Sequence, residues 1–533
     1  MADTKKQNYL HGAAILAAGV IIMKILGAIY KIPLGNILQD EGYAHFLVAY
    51  NIYNVFLTIA TAGLPVALSR MISEANTFDR QMQIKRTFHV ALATFFVLGI
   101  VCTLIMYLFP TELASMMGDV EASRSIWALS PAVLLVCLVS AYRGYCQGHG
   151  NMTPTTVGQV LEVVAKVIVG LLLAWILTRA GKSLPVASAG AIFGVTVGGA
   201  VALIYMIIYK KRNYKPAVMA EPDVPERARR IFGTLLRIGI PITLGSSVLS
   251  LINLIDTGLC LTRLQSAAGF SYADAKVLFG VYGKAQTLYN LPAAFVTPLT
   301  ISVVPAIASC MARRDTDEAC GIAEASIRIS SVIALPMCAG LAVLSYCIMN
   351  VLYPNSHPAG PQLLTVMGVA AFFVCMALIE TAVLQAHGDE RFPVYSMLTG
   401  GIVKILVNWV LVANPNVNIH GAPIGTLTCY MVMCVMNFIF IRKRLETKLS
   451  LRRMLARPLL STVVMSVVTW IVYAAARHFL GDSRMQLAVA MCCAIAAAVV
   501  AYVVMLSVSR AITAEDFKLI PKGDKLAKLL HIR

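Results

Sequence analysis

The residues that could do chemistry in this chain are charged side chains inside apolar segments. Lys24 and Lys31 interrupt the run from Gly12 to Gly35. Seven residues apart, at ~100° per residue, they fall on nearly one helix face. That run rises about 36 Å as a helix, enough to cross a bilayer core. A lysine at the bilayer centre costs roughly 2.5–3.5 kcal/mol on insertion scales, so two on one face predict a surface turned away from lipid, towards water or an anion. Lys284 and Lys404 interrupt later runs in the same way, and none of the four has an acidic residue three or four positions away. Glu162 and Lys166 do stand at i,i+4, as do Glu324 and Arg328, a spacing at which a pair can neutralise itself. Asp256 and Glu380 complete the set of acids within apolar runs.

These lysines predict a cationic cavity, Lys24, Lys31, Lys284 and Lys404, for an anionic substrate; several ammonium groups in a partly dehydrated space suit a pyrophosphate. Asp256, Glu380 and Glu162 are the candidates for coupling to sodium, to protons or to the membrane potential. No cofactor is called for and no metal ligands are named. The sequence lacks GxxxxGK[ST], HExxH and GxSxG motifs, which argues against direct ATP hydrolysis and the common hydrolases. His149 and His387 lie in turn-like contexts and read as turn residues. Thirteen cysteines are scattered without a CxxC pair and read as small apolar packing groups.

The elements that must position these residues follow from composition. Of 533 residues 58% are hydrophobic and 13% charged, and the mean hydropathy is +0.76. A soluble domain carries about 25% charged residues, so the chain reads as an all-α polytopic membrane protein. Spanning runs fall near 12–35, 44–68, 88–109, 126–142, 155–178, 185–209, 238–262, 278–304, 326–352, 362–386, 394–413, 420–441, 458–476 and 486–508, about 14 transmembrane helices. The net charge of +18 lies mostly in short loops rather than in a nucleic-acid-binding motif. Even-numbered loops hold most of it, with Lys210, Lys211 and Arg212 after the sixth run and Arg442, Lys443 and Arg444 after the twelfth. This bias predicts a multi-pass cell-membrane protein with both termini cytoplasmic, and Lys518, Lys522, Lys525, Lys528 and Arg533 in the tail agree with it.

The chain also repeats. One offset separates Gln147 from Gln385, His149 from His387 and Lys166 from Lys404, and nearly the same offset separates Leu64-Pro65 from Val304-Pro305. Six spans lie between, an even number, so the halves insert in parallel. The expected organisation is an N-lobe at 1–209 (spans 1–6), a cytoplasmic linker at 210–237, a C-lobe at 238–442 (spans 7–12), spans 13–14 at 443–510 and a cytoplasmic tail at 511–533. Two six-helix lobes of this kind predict a substrate site near the midplane and alternating access. Pro33, Pro65, Pro241, Pro292, Pro298 and Pro305 are candidate kinks, with Pro298 and Pro305 in one helix the most suggestive.

Several stretches resemble a known family: Lys24-Ile-Leu-Gly-Ala-Ile-Tyr-Lys31-Ile-Pro33-Leu-Gly35, Asp40-Glu41-Gly42-Tyr43, Ala62-Gly63-Leu64-Pro65 through Arg70, Arg143 through Gly148, Thr153-Pro154, and Leu519-Ile520-Pro521-Lys522 in the tail. Together they resemble the polysaccharide-biosynthesis, or oligosaccharide flippase, branch of the multidrug/oligosaccharidyl-lipid/polysaccharide exporter superfamily, nearest its stage V sporulation protein B-like and lipid II flippase groups. The resemblance implies export of an undecaprenyl-pyrophosphate-linked saccharide, a peptidoglycan precursor or a spore or capsule precursor, with cell-wall or spore-cortex synthesis as the setting. It implies cationic residues on the first and eighth helices, matched by Lys24 and Lys284. Tyr30 stands where a second base would fall, one residue before Lys31, and lysine replaces the bidentate arginine of several members. Two other readings make different demands. A multidrug cation antiporter of the same fold would need carboxylates in its cavity, and a membrane-embedded glycosyltransferase or polymerase would need a large extramembrane loop bearing catalytic acids.

Overall fold

A computed structural model describes residues 9–214, 223–389, 391–444 and 451–509, with side chains from residue 18 onward except those of 21 and 451–453. The linker prolines Pro216 and Pro222, and the tail with its lysines and Leu519–Lys522, lie outside the described residues. No strand occurs among the described residues, and fourteen helical segments are long and apolar enough to cross a membrane. Each predicted run corresponds to one of them.

The chain divides into two compact units, Met1–Thr262 and Arg263–Arg533. The first contains α1 (Tyr9–Ile37), α2 (Gln39–Thr61), α3 (Gly63–Thr77), α4 (Gln81–Leu108), α5 (Pro110–Met116), a 3-10 turn (Val120–Ala122), α6 (Ser123–Gly148), α7 (Thr153–Arg179), α8 (Leu184–Asn213) and most of α9 (Ala228–Ser266). The second contains α10 (Tyr272–Tyr289), α11 (Leu291–Ala312), α12 (Thr316–Val343), α13 (Ser345–Leu352), α14 (Gly360–His387), α15 (Arg391–Leu411), α16 (Gly421–Arg444), α17 (Leu451–Leu480) and α18 (Arg484–Ser509).

The second span, Gln39–Thr77, and the eighth, Tyr272–Ala312, are each broken into two helices. The first break falls at Ala62, just before Gly63-Leu64-Pro65; proline has no N–H to continue the ladder. A Cβ on Gly63 would collide with the Gly239 carbonyl of α9, so glycine lets α9 cross at the break. The second break falls at Asn290, whose side-chain amide donates to the Gln286 carbonyl at 2.7 Å, with Pro292 opening α11. Pro298 and Pro305, the pair expected to mark the hinge, stay inside α11, and the interruption comes ahead of them. Proline early in a helix is compatible with starting it, because its missing N–H would have no intrahelical partner there.

Helices α7 and α8 pack through glycine. A Cβ on Gly194 would lie 2.7 Å from the Gly170 backbone and 2.8 Å from the Lys166 carbonyl, and one on Gly198 would lie 2.5 Å from the Glu162 carbonyl. Small residues allow such backbone approach in membrane helices. The α7 backbone at Glu162 and Lys166 is thus pressed against α8, which leaves their side chains other neighbours to meet. In the second unit α17 and α18 pack on α12 and α13. Tyr473, Leu487, Ala490 and Ala494 gather around Leu344 and Cys347, and the Tyr502 hydroxyl donates to the Val332 carbonyl at 2.7 Å.

Candidate functional site

The site in the first unit is built on an aromatic rail along α2. Tyr43, Phe46, Tyr50 and Tyr53 recur at three- and four-residue steps and so share one face. Their rings follow one another at centroid separations of 5.9, 5.7 and 6.0 Å. Lys166, at the midpoint of α7, reaches this rail. Its ammonium lies 4.9 Å from the Tyr50 ring and 5.4 Å from the Tyr30 ring, and donates to the Tyr50 hydroxyl at 3.5 Å. Lys31 meets the same Tyr50 ring at 5.6 Å. Two ammonium groups therefore converge on one tyrosine from α1 and α7. Tyr30 is fully buried and donates to the Ala191 carbonyl of α8 at 3.0 Å, which anchors α1 beside the rail. Lys24 is exposed on α1.

Glu162 does not neutralise Lys166, as their spacing allowed. It pairs instead with Arg143 of α6 at 2.6 Å, the two side chains being 22% and 12% exposed. Arg143, one residue past the predicted run at 126–142, lies within α6, whose helix continues to Gly148. The physical reason is direction: the arginine fork comes across from α6 to the carboxylate, whereas Lys166 extends to the α2 tyrosines. Asp256, on α9, is buried and accepts from the Cys260 thiol at 3.8 Å.

The second unit carries its own buried cations. Lys284 of α10 is 2% exposed, with its ammonium 5.2 Å from the Tyr353 ring. Lys276, two turns earlier on the same helix and not named from the sequence, is also 2% exposed and faces Tyr272 at 4.3 Å. Lys404 of α15 is 4% exposed and acts electrostatically on Tyr289, which also has Tyr430 and Tyr282 for neighbours. Lys404 of α15 is the repeat counterpart of Lys166 of α7, and it lies within electrostatic range of a tyrosine of α10. Glu380 of α14 is 5% exposed and its Oε2 has no hydrogen-bond partner; the nearby Cys434 thiol donates to the Phe373 carbonyl at 3.1 Å.

Long apolar grooves accompany these sites. One of about 1050 Å³ runs between α4 and α9, past Val55, Val97, Phe232 and Leu251. Another, of about 490 Å³, lies among α12, α14 and α17. Outside the spans, burial holds the His149 imidazole below its ordinary value; Lys210 pushes the same way, and the Tyr145 carbonyl partly opposes them.

The profile of the polysaccharide biosynthesis protein family matches residues 9–311. The chain belongs to that family. A second profile, MatE, matches residues 271–410. Among relatives, "Stage V sporulation protein B" of Bacillus subtilis is 24% identical over 529 residues, 97% of this chain and 98% of the relative. "Lipid II flippase MurJ" of Bacillus subtilis is 24% identical over 515 residues, 92% of this chain and 94% of the relative. Among solved structures, the inward-facing conformation of a multidrug resistance MATE family transporter of the MOP superfamily aligns with a TM-score of 0.64 at 14% identity, covering 81% of this chain and 98% of that one. At that identity the likeness shows the fold alone. The protein is a polytopic membrane protein of the flippase and transporter superfamily to which these relatives belong.

Proposed function

We propose that the protein is a flippase, not an enzyme, that moves an undecaprenyl-pyrophosphate-linked saccharide across the cell membrane by alternating access. The cargo would be the peptidoglycan precursor lipid II or a related spore or capsule precursor. The observation that carries this reading is the placement of Lys31, Lys166, Lys284 and Lys404 on membrane helices among tyrosines. Tyrosine faces stabilise the Lys31, Lys166 and Lys284 ammonium groups by about 0.5–2 kcal/mol each while leaving their charge in place. That charge is suited to a pyrophosphate, and the tyrosine hydroxyls to sugar hydroxyls. The apolar grooves suit the polyprenyl tail.

Driving force would come from the membrane potential or an ion gradient, with buried Asp256 and Glu380 as the coupling candidates. Glu162, engaged by Arg143, is the weaker third. The basic even-numbered loops support cytoplasmic termini. A drug antiporter of the same fold is favoured by fold likeness and by the MatE profile over residues 271–410, but its cationic cargo would meet lysines in the first unit.

The test is carried out in cells whose only lipid II flippase is this protein, with surface lipid II read by accessibility to an externally added probe. Wild type keeps lipid II exposed, and the Lys166→Met, Lys404→Met double variant, expressed to the same level, does not. Full exposure with the double variant overturns the cationic mechanism. If the protein fails to keep these cells alive, while a strain that retains another lipid II flippase makes spore or capsule polymer only when the protein is present, the cargo is that precursor instead.

A further inference from the structure

A second cluster lies apart from the lysines, at the start of α2. Glu41 and His45 are one turn apart on that helix, and Glu121 comes from the 3-10 turn before α6. One ligand-type atom from each lies within 4.8 Å of the others. His45 is fully buried, and its Nδ1 is 2.6 Å from the Asp119 carboxylate, itself fully buried. The other ring nitrogen, Nε2, is buried, has no hydrogen-bond partner, and lies 3.5 Å from Glu121 Oε2. With Nδ1–H donated to Asp119, a neutral ring turns the Nε2 lone pair towards a carboxylate, so two acceptors face one another. A cation between Nε2 and the two glutamates relieves that opposition and gives Nε2 a partner.

We propose that Glu41, His45 Nε2 and Glu121 form a binding site for one divalent transition-metal ion of the zinc class, with Asp119 orienting the histidine. The chemistry of the donors decides the class. An imidazole with two carboxylates suits zinc and its neighbours, whereas magnesium and calcium prefer oxygen-only shells. Two atoms bound to one tetrahedral zinc at ~2.0–2.1 Å lie ~3.3 Å apart, close to the 3.5 Å between His45 and Glu121. Three protein ligands leave a fourth position for water. A carboxylate on the far nitrogen is the usual companion of a metal-bound histidine, and losing such a partner weakens binding about 10–100-fold. The ion would tie the start of α2, the helix that carries the tyrosine rail, to the turn that leads into α6. From the sequence, Glu41 and His45 gave only an i,i+4 pair; the third ligand is distant along the chain, and folding brings it there.

The experiment uses the full-length protein in detergent, stripped with a chelator and titrated with zinc chloride against a competing fluorescent chelator. Melting temperature is followed in parallel. Wild type should bind one zinc ion with a rise in melting temperature that magnesium chloride does not reproduce. Glu121→Gln alters an exposed side chain and should fold normally, yet weaken zinc at least tenfold; Asp119→Asn should also weaken it. His45→Gln should abolish binding, and if that variant misfolds, Glu121→Gln decides. Absence of zinc binding, equal affinity in wild type and Glu121→Gln, or an equal response to magnesium overturns the proposal. Equal affinity would place any bound zinc elsewhere.

Discussion

Replacing Lys166 by methionine removes one charge from the centre of α7 and keeps most of the apolar stem. In place, the ammonium faces the Tyr50 ring at 4.9 Å and the Tyr30 ring at 5.4 Å. Its attraction for a phosphoryl oxygen about 5 Å away is ~3 kcal/mol at an effective dielectric of ~20. Screening and rearrangement by Lys31, which shares the Tyr50 ring, should leave about half of this. A loss of ~1.4–3 kcal/mol corresponds to roughly a 10–150-fold fall in translocation efficiency. Folding should lose less, about 1–2 kcal/mol from the two ring contacts. The assay is lipid II translocation in proteoliposomes, measured against substrate concentration, alongside a thermal melt in detergent. Lys166→Arg keeps the charge and the ring contacts and should stay within severalfold of wild type. If Lys166→Met translocates as fast as wild type while Lys166→Arg does not, the charge is irrelevant and the reasoning fails.

Other perturbations probe the supports of this site. Glu162→Gln leaves Arg143 without its carboxylate in a partly buried place, so the melt should show a loss of ~2–3 kcal/mol; because the pair is part-exposed, the cost falls below the ~3–5 kcal/mol of a fully buried pair. Adding Arg143→Met to it should cost less than the sum of the single changes, by ~1 kcal/mol or more in a double-mutant cycle. Gly194→Ala forces a methyl group against the Gly170 backbone; overpacking of this kind costs ~1–3 kcal/mol, and translocation should fall with it as α7 shifts. His149 is held below its ordinary value by burial, so folding favours its neutral form. Its contribution is intact above about pH 6.5 and declines as pH falls below that value. The melting temperature should drop between pH 7 and 5, and His149→Gln should flatten that slope.

Much of the architecture was legible because membrane spans declare themselves by length and apolarity, and all fourteen runs did so. Helix ends were less legible. Arg229, Arg230 and Arg237 read as loop charges, yet α9 begins at Ala228, since at 39 residues and ~1.5 Å per residue it is far longer than a bilayer core and can carry charge at one end. The same error set Arg143 outside the membrane helix and hid the partner of Glu162. Lys166 stands at a spacing from Glu162 that allows self-neutralisation, which left it out of the candidate lysines although its repeat partner Lys404 is one of them; the shared offset is the signal that restores it. Lys276 had no such signal, being one basic residue before an apolar run. Tyr272 stands one turn before Lys276 on α10, but the tyrosines that hold Lys31, Lys166 and Lys284 come from other elements, and no spacing along one helix reveals such a meeting.

Whether the cargo is an anionic lipid-linked saccharide is decided by one reconstitution. Purified protein is placed in proteoliposomes with lipid II or with the same polyprenyl saccharide lacking the pyrophosphate, and appearance in the opposite leaflet is followed. The account predicts protein-dependent translocation of the pyrophosphate form alone, lost when Lys166 and Lys404 are both methionine in a variant that melts as a folded protein. Equal transport of the uncharged lipid, or transport of cationic drugs with none of lipid II, would contradict it.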